Sequence, residues 1–239
     1  MHNTRRVIIV IFILFINVGF SQGYKSGKVT YIISKIKERN PQIKEVIDIK
    51  IEEMLEEESR KQEFILEFST KKSSFRLAKK LENTDTGSME YQLQQIARFR
   101  YSRHYNIFVD MESKINIMER NEGVLVKESL NTPNWNITNE EKFIGDYKCY
   151  KAIYVKKFIG RDKKEKTKII ESWFCPTLPF SYGPKEYHGL PGLILELTEN
   201  ENTLYAKNIE LFETENEIVF PKGRTVTMEE YERKVLLGN

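Results

Sequence analysis

The sequence predicts a mainly β (α+β) fold built on an antiparallel sheet. Short stretches in which apolar and polar residues alternate follow one another along most of the chain, and the connections between them are short and carry Gly or Asn. A single long stretch keeps the three- and four-residue apolar spacing of an amphipathic helix. Short connections suit antiparallel meanders, because a parallel crossover needs a dozen or so residues between its strands.

Arg5 and Arg6 precede an unbroken apolar run from Val7 to Ile16, and the small residues Gly19 and Ser21 follow. A basic start and an apolar core too short for a bilayer of ~30 Å are the parts of a cleavable export signal. Residues 1–21 are expected to be removed, leaving Gln22 first, with no cysteine there to carry a lipid. No longer apolar stretch follows, so the mature chain is not expected to span a membrane. The expected location is the periplasm or the cell exterior. Residues 22–239 suit one domain that buries its own core.

Gly27 to Ile33 alternates as a first strand would, before Asn40-Pro41 breaks the pattern. From Ile43 to Arg60 the residues Ile43, Val46, Ile47, Ile51, Met54 and Leu55 recur at helical steps, with Glu on the other face. The acidic run Glu52 to Glu58 lacks the Asp/Asn/Gly loop chemistry of a cation cage and reads as a solvated face. Phe64, Leu66 and Phe68 share one face of a strand that turns at Lys71-Lys72-Ser73 and returns through Phe75 and Leu77. Asn83 to Ser88 is polar, and from there to Arg103 the pattern fits either helix or loop. Further strands are predicted at 106–111, 114–119, 124–129, 147–158, 168–174, 193–198 and 204–211, with Gly160 to Lys166 as a charged hairpin tip. The tail after Pro221 is polar and either caps an edge or hangs free.

Lys and Arg number 38 and Asp and Glu 35, interleaved along most segments. A protein that reads phosphate backbones shows a basic stripe, so nucleic acid is not an expected partner. Cys149 and Cys175 lie on what read as neighbouring strands. In an oxidising compartment they form a disulfide or stay as two small buried hydrophobes.

The most unusual segment runs from Trp173 to Ile194. Pro176, Pro179, Pro184 and Pro191 each fix φ and remove a donor, while Gly183, Gly189 and Gly192 allow backbone angles closed to other residues. Such a loop holds one shape. That suits recognition, and it equally suits a structural corner in which Leu190, Leu193 and Ile194 enter the core.

Gly189-Leu190-Pro191-Gly192-Leu193-Ile194 resembles, letter for letter, the signature of the GLPGLI family of exported bacterial proteins. Trp173, Phe174, Pro179, Gly183-Pro184 and the segment Ile144 to Ala152 also resemble that family's pattern, as does Gly27-x-Val29-x-Tyr31. The resemblance implies secretion and a shared fold. It implies no chemistry, because the family is defined by its signature. It also carries a hint of an envelope role beside outer-membrane or transport proteins. The order of a Cys-containing strand, a Trp-containing strand, a Pro-rich loop and a Gly-rich entry to a further strand is similar to lipoprotein carriers. That likeness implies a curved sheet closed to an open half-barrel.

A hydrolase needs a nucleophile, a base and an orienting group together, yet the mature chain offers only His104 and His188 and no Gly-x-Ser-x-Gly elbow. No His-Glu-x-x-His, Cys-x-x-Cys or Asp-rich loop points to a metal, and no cofactor is expected. The leading expectation is a non-enzymatic envelope protein that binds an apolar ligand or a partner's segment through Trp173, Tyr182, His188, Leu190 and Pro191. Aromatics in a fixed loop offer apolar area at low entropic cost. The alternatives are a periplasmic enzyme with its site around His188 and Glu186, or a structural interaction module.

Overall fold

A computed structural model describes residues 23–35, 46–79, 85–101, 106–120, 123–160, 163–200 and 202–237. The expected export signal, the start of the first predicted helix and His104 lie outside the described residues. The strands are β1 (Ser26–Lys35), β2 (Glu63–Ser69), β3 (Lys72–Leu77), β4 (Asn106–Asp110), β5 (Ile115–Glu119), β6 (Leu125–Ser129), β7 (Asn136–Ile144), β8 (Tyr147–Ile159), β9 (Glu165–Cys175), β10 (Leu193–Glu199), β11 (Asn202–Phe212) and β12 (Thr225–Val226). The helices are α1 (Val46–Arg60), α2 (Met89–Tyr101) and α3 (Met228–Leu237).

The strands form one open sheet in the order β12-β6-β5-β4-β3-β2-β1-β11-β10-β9-β8-β7. Neighbours run antiparallel except β12, which lies parallel to β6. β1 is central because its alternation is complete, with Val29, Tyr31 and Ile33 all buried. Gly27 lets β2 and β11 close on it, since a Cβ there would stand 2.5 Å from the Phe68 ring and 2.8 Å from the Glu210 carbonyl oxygen.

Three features depart from the sequence reading. The β2–β3 turn falls at Thr70-Lys71, with Lys72 already paired, one residue earlier than predicted. The strand β7 was not legible, because Asn136-Ile137-Thr138-Asn139-Glu140-Glu141-Lys142 carries no apolar alternation. It is an edge strand, and charge along an edge discourages pairing with other chains. Helices number three among the described residues, not the expected one or two. The third is started by a capping box in which the Thr227 and Glu230 side chains each accept the other's backbone N–H, at 3.2 and 2.8 Å.

Most buried side chains fall into two clusters. The larger gathers Val29, Tyr31, Phe64, Phe68 and Phe75 with Cys149, Cys175, Leu193 and Leu195. The smaller, across β8 to β10, holds Ala152, Ile170, Phe174, Ile194 and Leu197 with residues of the Pro/Gly loop. Alternation sends Leu193 and Leu195 of β10 to the larger cluster and Ile194 to the smaller, and a register shift between Ile194 and Glu196 accompanies the turn of Leu197 to the side of Ile194. Leu55, Leu93 and Ala97 join α1 to α2 in a third, small cluster.

β6 and β7 stand ten places apart in the strand order, yet only residues 130–135 join them. An extended chain of that length reaches ~25 Å at most. This connection carries Thr132 and Trp135 to the Pro/Gly loop, where the candidate site lies.

Candidate functional site

The loop between β9 and β10 is tied to itself by its own backbone. Leu178 N–H donates to Cys175 O at 3.2 Å, and Phe180 N–H to Leu178 O at 2.7 Å. The returning arm crosses the outgoing one through Gly189 N–H to Ser181 O (3.1 Å), Leu193 N–H to Leu178 O and Ile194 N–H to Tyr182 O (both 2.9 Å). Ser181 Oγ adds a bond to Leu190 O at 2.7 Å. Two glycines permit this. Gly189 sits at φ +89°, and a Cβ on Gly192 would lie 2.2 Å from the Cys175 carbonyl oxygen.

The arms serve opposite sides of the sheet. Leu178, Phe180 and Tyr182 enter the larger cluster, where the Phe68 ring lies 4.6 Å from Phe180 and 6.1 Å from Tyr182. Tyr187 and Leu190 enter the smaller one. There Glu199 is gripped by Lys168 at 3.0 Å, by the Tyr187 hydroxyl at 2.9 Å and by Lys185. Burial raises the Glu199 carboxyl, but the two ammonium groups outweigh it and hold the group down to about 2. Trp135 Nε1 donates to His188 O at 2.8 Å, and its ring packs on Tyr187 and Tyr154.

Beside the first arm lies a cavity of about 450 Å³. Phe180, Tyr182, His188 and Gly189 form one wall, and Tyr24, Thr70, Met111 and Thr132 reach it from outside the loop. His188 is 2% exposed, and neither of its ring nitrogens has a hydrogen-bond partner among the described residues. The buried Tyr182 hydroxyl has none either. Burial brings His188 down to about 4, with Glu186 opposing the shift, so the imidazole is neutral at neutral pH. Burial, with the Asp110 and Glu215 carboxylates adding, pushes the Tyr182 phenol well above its ordinary value.

Of the five residues singled out in the sequence, Tyr182 and His188 are brought together at this cavity. Trp173 is half-buried in β9 with the Lys142 ammonium 4.4 Å over its ring, and Lys142 in turn pairs with Glu196 at 2.6 Å. Leu190 is core of the smaller cluster, and Pro191 is exposed. Of the six-residue motif, Leu190, Leu193 and Ile194 are packing residues, Gly189 and Gly192 make the turn possible, and Gly189 alone lines the cavity. Tyr24, Thr70, Met111 and Thr132 carry no local signal, since they meet only through the fold.

Glu186 pairs with Lys156 at 3.0 Å and does not hydrogen-bond His188. His188 therefore has no orienting carboxylate of the kind a general base uses. Among the described residues no group of three or more His, Cys, Asp or Glu side chains could hold a metal ion. No helix among them is long and apolar enough to cross a membrane. Cys149 and Cys175 face each other one step beyond the Tyr150–Phe174 pair of β8 and β9, both buried and both as free thiols. Hydrogen bonds from Cys149 and Thr177 favour the Cys175 thiolate against burial, and the bond to Cys175, with burial, pushes the Cys149 thiol up.

A family model described as "Protein of unknown function (Porph_ging)" matches residues 160–196, from the β8–β9 tip through the Pro/Gly loop into β10. That span contains Gly189 to Ile194, on which the sequence resemblance rests. No curated protein matches the chain. Two solved structures are similar, "Structure of PNGF-II in C2 space group" and "Structure of PNGF-II in P21 space group", with TM-scores of 0.53 and 0.54. Each is 14% identical over 89% of this chain and 33% of its own, so the chain spans about a third of their length. At that identity the likeness is one of fold alone, and the chain is similar to a family of unknown function through the loop that builds its cavity.

Proposed function

We propose that this chain is an exported, non-enzymatic binding protein of the cell envelope, and that it holds a small, largely apolar ligand in the cavity beside the Pro/Gly loop. The observation that carries this reading is the pairing of two buried, unpartnered polar side chains, His188 and Tyr182, at one cavity. The large majority of buried side-chain polar atoms in folded proteins find partners, and each one left unpaired costs ~1–3 kcal/mol. A ligand carrying a hydrogen-bonding atom removes that cost on entry. The volume falls within the ~300–1,000 Å³ of small-molecule sites, and the walls combine aromatic and apolar surface with a few polar groups.

The short β6–β7 connection supports the open half-barrel architecture of this proposal. Ten strand spacings of ~4.8 Å would hold those strands ~48 Å apart on a flat sheet, about twice what six residues can bridge. Bending the sheet brings its margins within reach and leaves a concave side for the loop to cover. The basic-then-apolar pattern of residues 5–21 supports export. The unpaired His188, with Glu186 engaged by Lys156, favours binding over the enzyme reading.

Native mass spectrometry of protein released gently from the periplasm tests the proposal. The expected spectrum shows a mature chain beginning at Gln22 and a small-molecule adduct that is lost in His188→Phe. A bare chain in both proteins, at full occupancy of the folded charge states, would count against the cavity as the site.

A further inference from the structure

None of the side chains lining the cavity carries a formal charge, because the one titratable base among them, His188, is buried in its neutral form. The carboxylates that act on Tyr182, Asp110 and Glu215, are not among the lining residues. Thr70 donates to the Glu215 carboxylate, and Asp110 is fixed by the N–H groups of Glu112 and Ser113, both at 3.0 Å. Lys72 approaches Asp110 at 3.8 Å, and Lys71 is held by Glu112 at 2.6 Å. Three carboxylates thus stand against two ammonium groups in this network, and no Lys or Arg is among the described residues that line the cavity.

A neutral imidazole offers one donor and one acceptor, and a protonated phenol offers the same. From this arrangement, and resting on the cavity being the binding site, we infer that it takes an uncharged amphiphile whose apolar body carries a single head able both to donate and to accept a hydrogen bond, such as an alcohol or a primary amide. A carboxylate of the same body is rejected. It has acceptors only, meets the negative charge of Asp110 and Glu215 and gains no counter-ion for the water it gives up. An ammonium head has donors only and finds no carboxylate in the lining.

The test uses four probes with one body, 1-octanol, octanamide, octanoate and octylammonium, titrated by calorimetry into the mature protein at neutral pH. Octanol and octanamide are expected to bind at least about tenfold more tightly than either ion, the ratio that one well-made hydrogen bond and an avoided buried charge supply. Tyr182→Phe keeps the ring on Phe68 and removes only the hydroxyl. It is expected to weaken octanol by about tenfold while leaving the melting temperature unchanged or higher, since an unpaired buried group has gone. Octanoate binding as tightly as octanol would overturn the neutral-head inference and leave the cavity standing as a site. Unchanged octanol affinity in Tyr182→Phe would overturn the head-group contact. Failure of all four probes would overturn the cavity reading and this inference with it.

Discussion

His188 illustrates how one residue's burial becomes a property of the whole protein. Its folded pKa is lowered by burial to about 4 against an ordinary value of ~6.5. The unfolded chain therefore takes up a proton first as the pH falls. The stabilising advantage of the neutral form is complete above ~6.5, is lost between there and about 4, and does not change further below that. The full loss is of order 3 kcal/mol. His188→Gln cannot protonate, so its urea midpoint is expected to lack the decline that the native protein shows between about pH 6.5 and 4. Parallel curves for the two proteins across that window would place the titration elsewhere. Glu199, whose pKa of about 2 puts its own loss below ~4.5, is present in both proteins and cancels from the comparison.

At the scale of elements, β8, β9 and the Pro/Gly loop behave as a unit. Cys149 and Cys175 are opposed across β8 and β9 where the loop begins, and a disulfide there would close the hairpin at its base. Oxidation of these two free thiols in an oxidising compartment would make the recovered protein two hydrogens lighter than the reduced chain. Reduction of that disulfide is expected to cost about 3.5 kcal/mol, the chain-entropy value for a ring of this length. Full reduced mass, with both cysteines alkylated only after denaturation, would leave them as a buried thiol pair. The strands on either side were legible from alternation, as was the loop from its Pro and Gly residues. The edge strand β7 was not, because an edge needs no apolar face of its own. The helix α3 was legible in principle from Thr227-x-x-Glu230, a signal overshadowed by the polarity of the tail.

Across the whole molecule, the connection of residues 130–135 is the strap that reaches from one end of the strand order to the other. Trp135 is its anchor, bonded to the His188 carbonyl and packed on Tyr187 and Tyr154. Trp135→Ala is expected to destabilise by about 3 kcal/mol, as large-to-small changes of packed aromatics do. Limited proteolysis of that variant is expected to begin in the Pro/Gly loop. Trp135→Phe should restore most of the stability while losing the bond to His188. First cleavage elsewhere, such as at the β8–β9 tip, would show that the strap does not hold the loop.

The sequence by itself determined the mainly β class, the first strand, the stiffness expected of the segment from Trp173 to Ile194 and the interest of Tyr182 and His188. These follow from alternation, φ restriction and residue type, which are local properties. Only the tertiary structure decided that Trp173, Leu190 and Pro191 stand away from the cavity while Tyr24, Thr70, Met111 and Thr132 join it. That choice depends on which arm of the loop faces which side of the sheet, and on a strap that brings distant strands together. Both are long-range pairings, and a short window of residues carries no trace of its partner's identity.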